Sequence, residues 1–311
     1  MINLNQLNGI GDFIYFQDVE KKITRFIETG EPFVEVHSTN FEKYDEFFKW
    51  IPSEITGVSG IPNHGKSKWV VFLAALKMYF ANWNVAFYSA ETYPSEFFYL
   101  NFLHTLTGKN IFRGGKPTKD EITKSSALLN KNLSLFQPDK YPTINGIMDK
   151  FTMAHEKHGC KMFVIDPFNC LDREWEKSKR DDQYVGEFLE RYKEFAVKTN
   201  SCCIIVMHPN AGIKLPKNDI DFECPNVYNL AGGAMWNNKC DNIMFVHRPK
   251  FISNRTDSTV LIRHSKIKKR EINGLGGDVF FDFDFKHNRY TLESSGVNFC
   301  EAEPQYYGMP F

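Results

Sequence analysis

The run Gly60-Ile61-Pro62-Asn63-His64-Gly65-Lys66-Ser67 places two glycines, a lysine and a hydroxyl at the spacing GxxxxGK[ST]. It follows an apolar stretch and opens a helical one. That arrangement suits phosphate chemistry. Glycine lets the main chain wrap so that successive N–H groups converge on anionic oxygens, and the helix N-terminus adds a favourable dipole. Lys66 then reaches the β- and γ-phosphates of a nucleoside triphosphate, and the Ser67 hydroxyl ligates Mg²⁺. The eight residues form the expected nucleotide-binding set, with ATP as ligand and Mg²⁺ as its metal. His64 stands where such loops usually carry a small residue. The competing reading is a glycine-rich turn that binds nothing.

A phosphate loop needs an acid to hold magnesium through its water shell. The apolar run Lys161–Ile165 ends in Asp166, which fits that Walker B requirement. Hydrolysis also needs a group that orients or deprotonates water. The strand 85–89 runs directly into Ala90-Glu91-Thr92, and a carboxylate at a strand's C-terminal end points into the crevice where α/β sheets bind ligands. Glu91 is the expected base. His208 ends the next apolar strand and is placed to sense the γ-phosphate; a satisfied core histidine is the alternative.

Positioning these groups requires strands that end together. The sequence predicts strands at 55–59, 85–89, 133–136, 162–166 and 203–207. Helices are predicted at 66–80, 95–106, 119–129, 144–155 and 182–199. Such alternation is the mark of a parallel sheet covered by helices. Beyond residue 240 only strands follow, at 242–247, 259–265, 279–283 and 289–292, so an antiparallel C-terminal extension is expected. The division is an N-terminal arm (1–50), an α/β core (51–295) and a tail (296–311). The arm holds an amphipathic helix from Asp18 to Thr29, stopped by Gly30, and a second short helix over 41–50.

Composition bounds the function. The 311 residues carry 38 basic and 38 acidic side chains, which argues against a broad polybasic surface but not against nucleic acid held by a few local cations. An apolar content of 42% excludes general disorder. The seven cysteines form no CxxC pair, and the N-terminus reads as no signal peptide. The longest apolar run, 69–80, is interrupted by Lys77. These features predict a reduced, cytoplasmic chain without a membrane segment. His155 and His158 lie on a charged helix end and read as a solvated face rather than a metal pair.

In chain order these segments resemble the helicase domain of the hexameric DnaB family, and most of all its Twinkle-type and phage primase–helicase branch. EITGVSGIPNHGKS is similar to that branch's phosphate-loop strand, AET to its glutamate motif, and VIDPFNCLD to its Walker B motif. VMHPN is similar to its strand-end histidine. The segment from Asn229-Leu230-Ala231-Gly232-Gly233-Ala234 to Asn238-Lys239-Cys240-Asp241-Asn242 resembles its DNA-loop motif. The resemblance covers most of the chain. It implies a RecA-like fold in a six-membered homo-oligomeric ring, with ATP between subunits and single-stranded DNA in the channel. It also implies 5′–3′ polarity, and makes the arm helix a linker that docks on the neighbouring subunit.

The family's Lys-x-Arg unit, which supplies a cation to the neighbour's γ-phosphate, matches Lys268 and Arg270. A two-residue shift would pair Lys266 with Lys268 instead. Arg270 is preferred as the finger acting in trans, because its planar fork suits phosphate, with Lys268 the alternative. DNA contacts are expected at Asn210, Lys214, Gly232, Gly233 and Lys239, through loop N–H groups and a few side chains. Trp236 reads as packing rather than a base platform. With no cysteine before Cys160, primase activity is not expected in this chain; a separate primase and a DNA polymerase are the implied partners. The acidic, aromatic tail suggests a polymerase contact. Two other readings stay open: a RecA-like filament-forming recombinase, and a P-loop assembly ATPase that does not unwind.

Overall fold

A computed structural model of the protein describes residues 14–172, 180–210 and 220–292. Two compact units are present, one ending at Val36 and one beginning at His37. The first holds α1 (Phe16–Thr29). Asp18 accepts the Tyr15 N–H at 2.8 Å to start it, and Gly30, at φ 70°, ends it by donating its N–H to the Phe26 carbonyl. Phe16, Val19, Ile23 and Ile27 recur along one face, and Ile27 is 76% exposed.

The second unit is built on a nine-stranded sheet. Its strands are β1 (Ile55–Ser59), β2 (Asn84–Ser89), β3 (Leu133–Phe136), β4 (Cys160–Asp166), β5 (Cys202–Val206), β6 (Asn242–His247), β7 (Thr259–Ile267), β8 (Gly277–Asp284) and β9 (Arg289–Leu292). They lie in the order β3-β2-β4-β5-β1-β6-β7-β8-β9. The first six in sequence pair in parallel and the last three join antiparallel, which is the RecA-like arrangement expected. The central strands are apolar almost throughout because helices cover both faces. Alternate residues therefore enter different cores. Val58, Met162, Val164, Ile204 and Val206 pack with α2 (Lys66–Ala81), α3 (Ser95–Thr107) and α4 (Lys119–Asn132). Ile55, Phe163, Ile165 and Ile205 pack with α5 (Ile144–His158) and α6 (Asp181–Thr199). Cys202 and Cys203, adjacent in β5, enter one core each.

This topology gathers the strand ends at two opposite edges of the sheet. The C-terminal ends of β1, β2, β4, β5 and β6 share one edge, and Lys66, Ser67, Glu91, Asp166 and His208 end or follow four of those strands. Because β7 runs against β6, with Ile267 opposite Asn242, the residues after β7 lie at the other edge.

Residues 41–50 differ from expectation. They form a five-residue 3-10 turn, Glu42–Glu46, rather than an α-helix. Asp45 accepts from both the Thr39 N–H (2.6 Å) and hydroxyl (2.5 Å), while Tyr44, Phe48 and Trp50 are buried in the first core. Tertiary burial of these rings overrides the helical spacing, and the compact unit that includes them begins at His37. Several helix ends run two or three residues longer than predicted. None of the six cysteines among the described residues forms a disulfide. Among those residues there is no helix long and apolar enough to cross a membrane, and no metal-binding cluster of His, Cys, Asp and Glu.

Candidate nucleotide site and the loops beside it

The loop 60–65 leaves β1 and delivers Lys66 as the first residue of α2. Its shape depends on glycine. Gly60 sits at φ 150°, and a Cβ there would lie 2.1 Å from the Val246 carbonyl oxygen of β6; Gly65, at φ 100°, caps α2 in the left-handed region. Lys66 is buried, and its ammonium donates to the carbonyls of Gly60 (2.9 Å) and Ile61 (3.4 Å). Burial lowers its pKa, an effect opposed by Asp166 and Glu91.

His64 is also buried, 1% exposed. Its Nδ1 accepts the main-chain N–H of Arg248 at 3.0 Å, and its ring lies 4.7 Å from Phe251. Burial first, and then the nearby His247, Arg248 and Lys66, push its pKa down to about 3, so the imidazole is neutral. The residue that departs from the usual loop pattern thus fastens the loop to the end of β6.

Asp166 ends β4 beside the loop and is 7% exposed. Burial pushes its carboxyl up to about 6 against the opposing influence of the Ser67 hydroxyl, which bonds to it, and of Lys66 and His208. Glu91 lies two residues beyond β2. Its Oε1 is 3.7 Å from His208 Nε2, an ion-pair distance rather than a hydrogen bond. The His208 contact is the largest influence on Glu91 and holds its carboxyl below the usual range. Lys66, Ser67, Glu91, Asp166 and His208, from four strand ends, are thus brought into one neighbourhood. A buried lysine, a hydroxyl and a buried acid at the mouth of a glycine-shaped loop fit a magnesium–triphosphate.

Beside the loop is a recess of about 250 Å³, lined among others by Asn63, His64, Lys68, Arg248, Phe285 and Tyr290. The Arg248 guanidinium lies 5.3 Å over the Phe285 ring. Arg248 donates to the carbonyls of Arg255 (2.9 Å) and Asp257 (2.8 Å), which fix its fork. A planar cation above an aromatic ring suits a flat heterocycle. Sequence reasoning missed this recess, because it joins the end of β6 to the β8–β9 turn. The available signal was an arginine directly after an apolar strand.

The loop after His208 is joined to the segment before α7 (Met235–Lys239). Pro209 pairs with Leu230, the Asn210 N–H donates to the Asn229 carbonyl (2.6 Å), and the Ala231 N–H donates to the His208 carbonyl (3.3 Å). Gly232 and Gly233 both have positive φ. A Cβ on Gly232 would lie 2.8 Å from Val185, whereas Gly233 faces open space. Trp236 is buried and donates to the Ala231 carbonyl at 2.7 Å, a packing role as expected. Lys239, expected at the DNA, has its ammonium bonded to Glu190 and to the Gly186 carbonyl of α6. Lys214 and the tail lie outside the described residues.

Arg270 opens α8 (Arg270–Asn273), at the edge opposite the phosphate loop, and is exposed. Lys268 pairs with the buried Asp241 at 3.0 Å, and Lys269 with the buried Glu54 at 2.8 Å. Lys266 donates to the carbonyls of Asn237 and Cys240 (2.6 Å to the latter). Among the basic residues from 266 to 270, Arg270 alone has neither an ion-pair partner nor a main-chain acceptor among the described residues.

Comparison with known proteins matches this geometry. A family model for the DnaB-like helicase C-terminal domain aligns with residues 37–291. The chain is 28% identical over 268 residues to a Twinkle homolog protein, chloroplastic/mitochondrial, of Arabidopsis thaliana; the match takes in 82% of this chain and 36% of that protein. The chain thus spans about a third of that relative's length. Among solved structures it is similar to an isolated ATPase domain, with TM-score 0.74 and 14% identity, covering 90% of this chain and 99% of that one. It is also similar to a DnaB-like replicative helicase described with its interactions with primase. There the TM-score is 0.71 and the identity 15%, over 93% and 70% of the two chains. At those identities the structures speak to fold. With the family model covering the sheet and both its edges, the chain belongs to the DnaB-like helicase C-terminal domain family.

Proposed function

We propose that this chain hydrolyses ATP to move along single-stranded DNA as a ring hexamer, and so unwinds duplex DNA during replication with 5′–3′ polarity. The observation that carries the reading is the His208 junction. His208 contacts Glu91 through its side chain and accepts from Ala231 through its carbonyl, joining a hydrolytic acid to the glycine loop in one residue. In this reading the loop N–H groups and Lys66 bind the phosphates, and Ser67 and Asp166 hold Mg²⁺. The metal supplies charge neutralisation at the phosphates. Glu91 takes the proton of the attacking water, and its lowered pKa keeps it ionised for that task. Arg248 and Phe285 take the adenine.

Arg270, at the far edge of its own sheet, serves the adjoining chain's γ-phosphate. The Asp241–Lys268 pair favours it over Lys268 for that part. Asn210, Gly232 and Gly233 line the DNA path, and α1 docks on the next subunit. A separate primase and a polymerase are the partners this reading expects.

The test is DNA-stimulated ATPase and strand separation on a forked duplex. Lys66→Ala is expected to lower both by at least ~10²-fold, the order lost when transition-state charge stabilisation is removed. Stimulated hydrolysis that survives in this variant, or a wild-type chain inert on forks, defeats the proposal.

A further inference from the structure

The segment 230–241 runs from one edge of the sheet to the other. At the phosphate-loop edge it begins beside Pro209 and His208. Along its course Trp236 packs edge-on against Phe168 at 5.0 Å, and Lys239 is bonded to α6. At the far edge it ends at Asp241, whose N–H donates to the Ile55 carbonyl (3.0 Å) and whose carboxylate accepts the Ile55 N–H (2.9 Å) at the start of β1.

The far end is then clamped to the turn that carries Arg270. Lys266, half-buried, directs its ammonium to the carbonyls of Asn237 and Cys240, the last turn of α7 and the residue after it. Among the described residues it forms no ion pair, so main-chain oxygens of this one segment are its partners. Two residues on, Lys268 meets Asp241. Beyond Arg270, Asn273 donates to Glu54 at 3.1 Å, and Glu54 also accepts from Asn242 at 2.9 Å. Arg270 is exposed within a stretch whose flanks are bonded to the sheet and to the 230–241 segment.

We infer that Lys266 and Asp241 are positioning residues that fasten the DNA-loop segment to the arginine turn, so that DNA held by one chain sets the reach of that chain's Arg270 toward the neighbour's nucleotide. The inference rests on the proposed trans role of Arg270 and goes beyond it. It adds a second outlet for the DNA loop: His208 serves the chain's own nucleotide, and Lys266 serves the adjoining one. A packed helix with two anchored ends transmits a shift at its glycine end to its lysine-clamped end, because neither the Trp236 contact nor the Lys266 bonds stretch freely.

The experiment uses the full chain in its assembled form with an oligo(dT) probe. Three readings are taken on each variant: ATPase without DNA, ATPase with saturating oligo(dT), and oligo(dT) affinity by fluorescence anisotropy. Lys266→Met keeps the apolar stem and removes the donors; Lys266→Arg keeps donors. Lys266→Met is expected to retain the DNA-free rate within about twofold and to bind oligo(dT) normally, yet to lose at least about fivefold of the DNA stimulation. Lys266→Arg restores it. Normal stimulation in Lys266→Met overturns the inference, as does loss of stimulation that Lys266→Arg fails to recover. Where Lys266→Met lowers the melting temperature, Lys266→Gln takes its place under the same criteria. Arg270→Ala is measured in parallel: if it leaves both rates intact, the trans role of Arg270 has failed, whatever Lys266→Met does.

Discussion

Asp166 bears a cost that its position explains. A carboxylate at a buried strand end loses hydration, and its pKa rises from the ordinary 3.8 to about 6. The raised value favours the protonated form in the folded chain. The stabilisation that protonation brings is therefore complete below about pH 4 and is lost as pH rises through about 6. At pH 7.5 the ionised acid costs up to about 3 kcal/mol of folding free energy. Asp166→Asn removes that charge while keeping the shape. Thermal melts of the nucleotide-free protein should show this variant several degrees more stable than the wild type at pH 7.5, with the gain vanishing near pH 4.5. Its Mg²⁺-dependent hydrolysis should be lost. An asparagine variant no more stable at pH 7.5 than at pH 4.5, relative to wild type, contradicts the electrostatic account. His64 behaves in the opposite way: it stays neutral across this range and serves as an acceptor for Arg248.

At the scale of elements, the order of strands and the groups at their ends were legible because each is a local pattern. An apolar run followed by Asp166, Glu91 or His208 needs nothing distant to be read. What was not legible depends on residues far apart in the chain. The Arg248–Phe285 recess, the capture of Lys239 by Glu190, and the pairing of Lys268 with Asp241 exist only once β6, β7 and α6 are packed. The 41–50 segment failed for the same reason, since its aromatic spacing serves burial against the sheet rather than a helix period. The arm element carries its own prediction. Phe16 and Ile27 lie on one stripe of α1 and are 64% and 76% exposed, so changing them removes little from the chain's own fold. The double variant Phe16→Ser, Ile27→Asp should keep its melting temperature within a few degrees while sedimentation velocity shows the hexamer replaced by smaller species. Hexamers of undiminished stability count against α1 as the link between subunits.

For the whole molecule, charge and topology give one account. With 38 basic against 38 acidic residues, the chain has no electrostatic surplus for coating DNA, and in the proposed ring enclosure would supply in geometry what charge does not. The same topology divides each proposed catalytic centre between two chains, with Glu91 at one edge of the sheet and Arg270 at the other. Mixing is the direct measurement. Rings assembled from equal amounts of Glu91→Gln and Arg270→Ala chains should recover about a quarter of the interfaces intact, since each interface draws one residue from either side. Rates that stay at the level of the separate variants would count against the division. A chain carrying both changes follows a harsher rule. Each such copy disables the interface on its left and the interface on its right, so activity falls roughly with the square of the healthy fraction. Defects at the two edges of this sheet are therefore expected to behave as dominant ones: in a cell holding both forms, the faulty copy does not dilute the machine but poisons it.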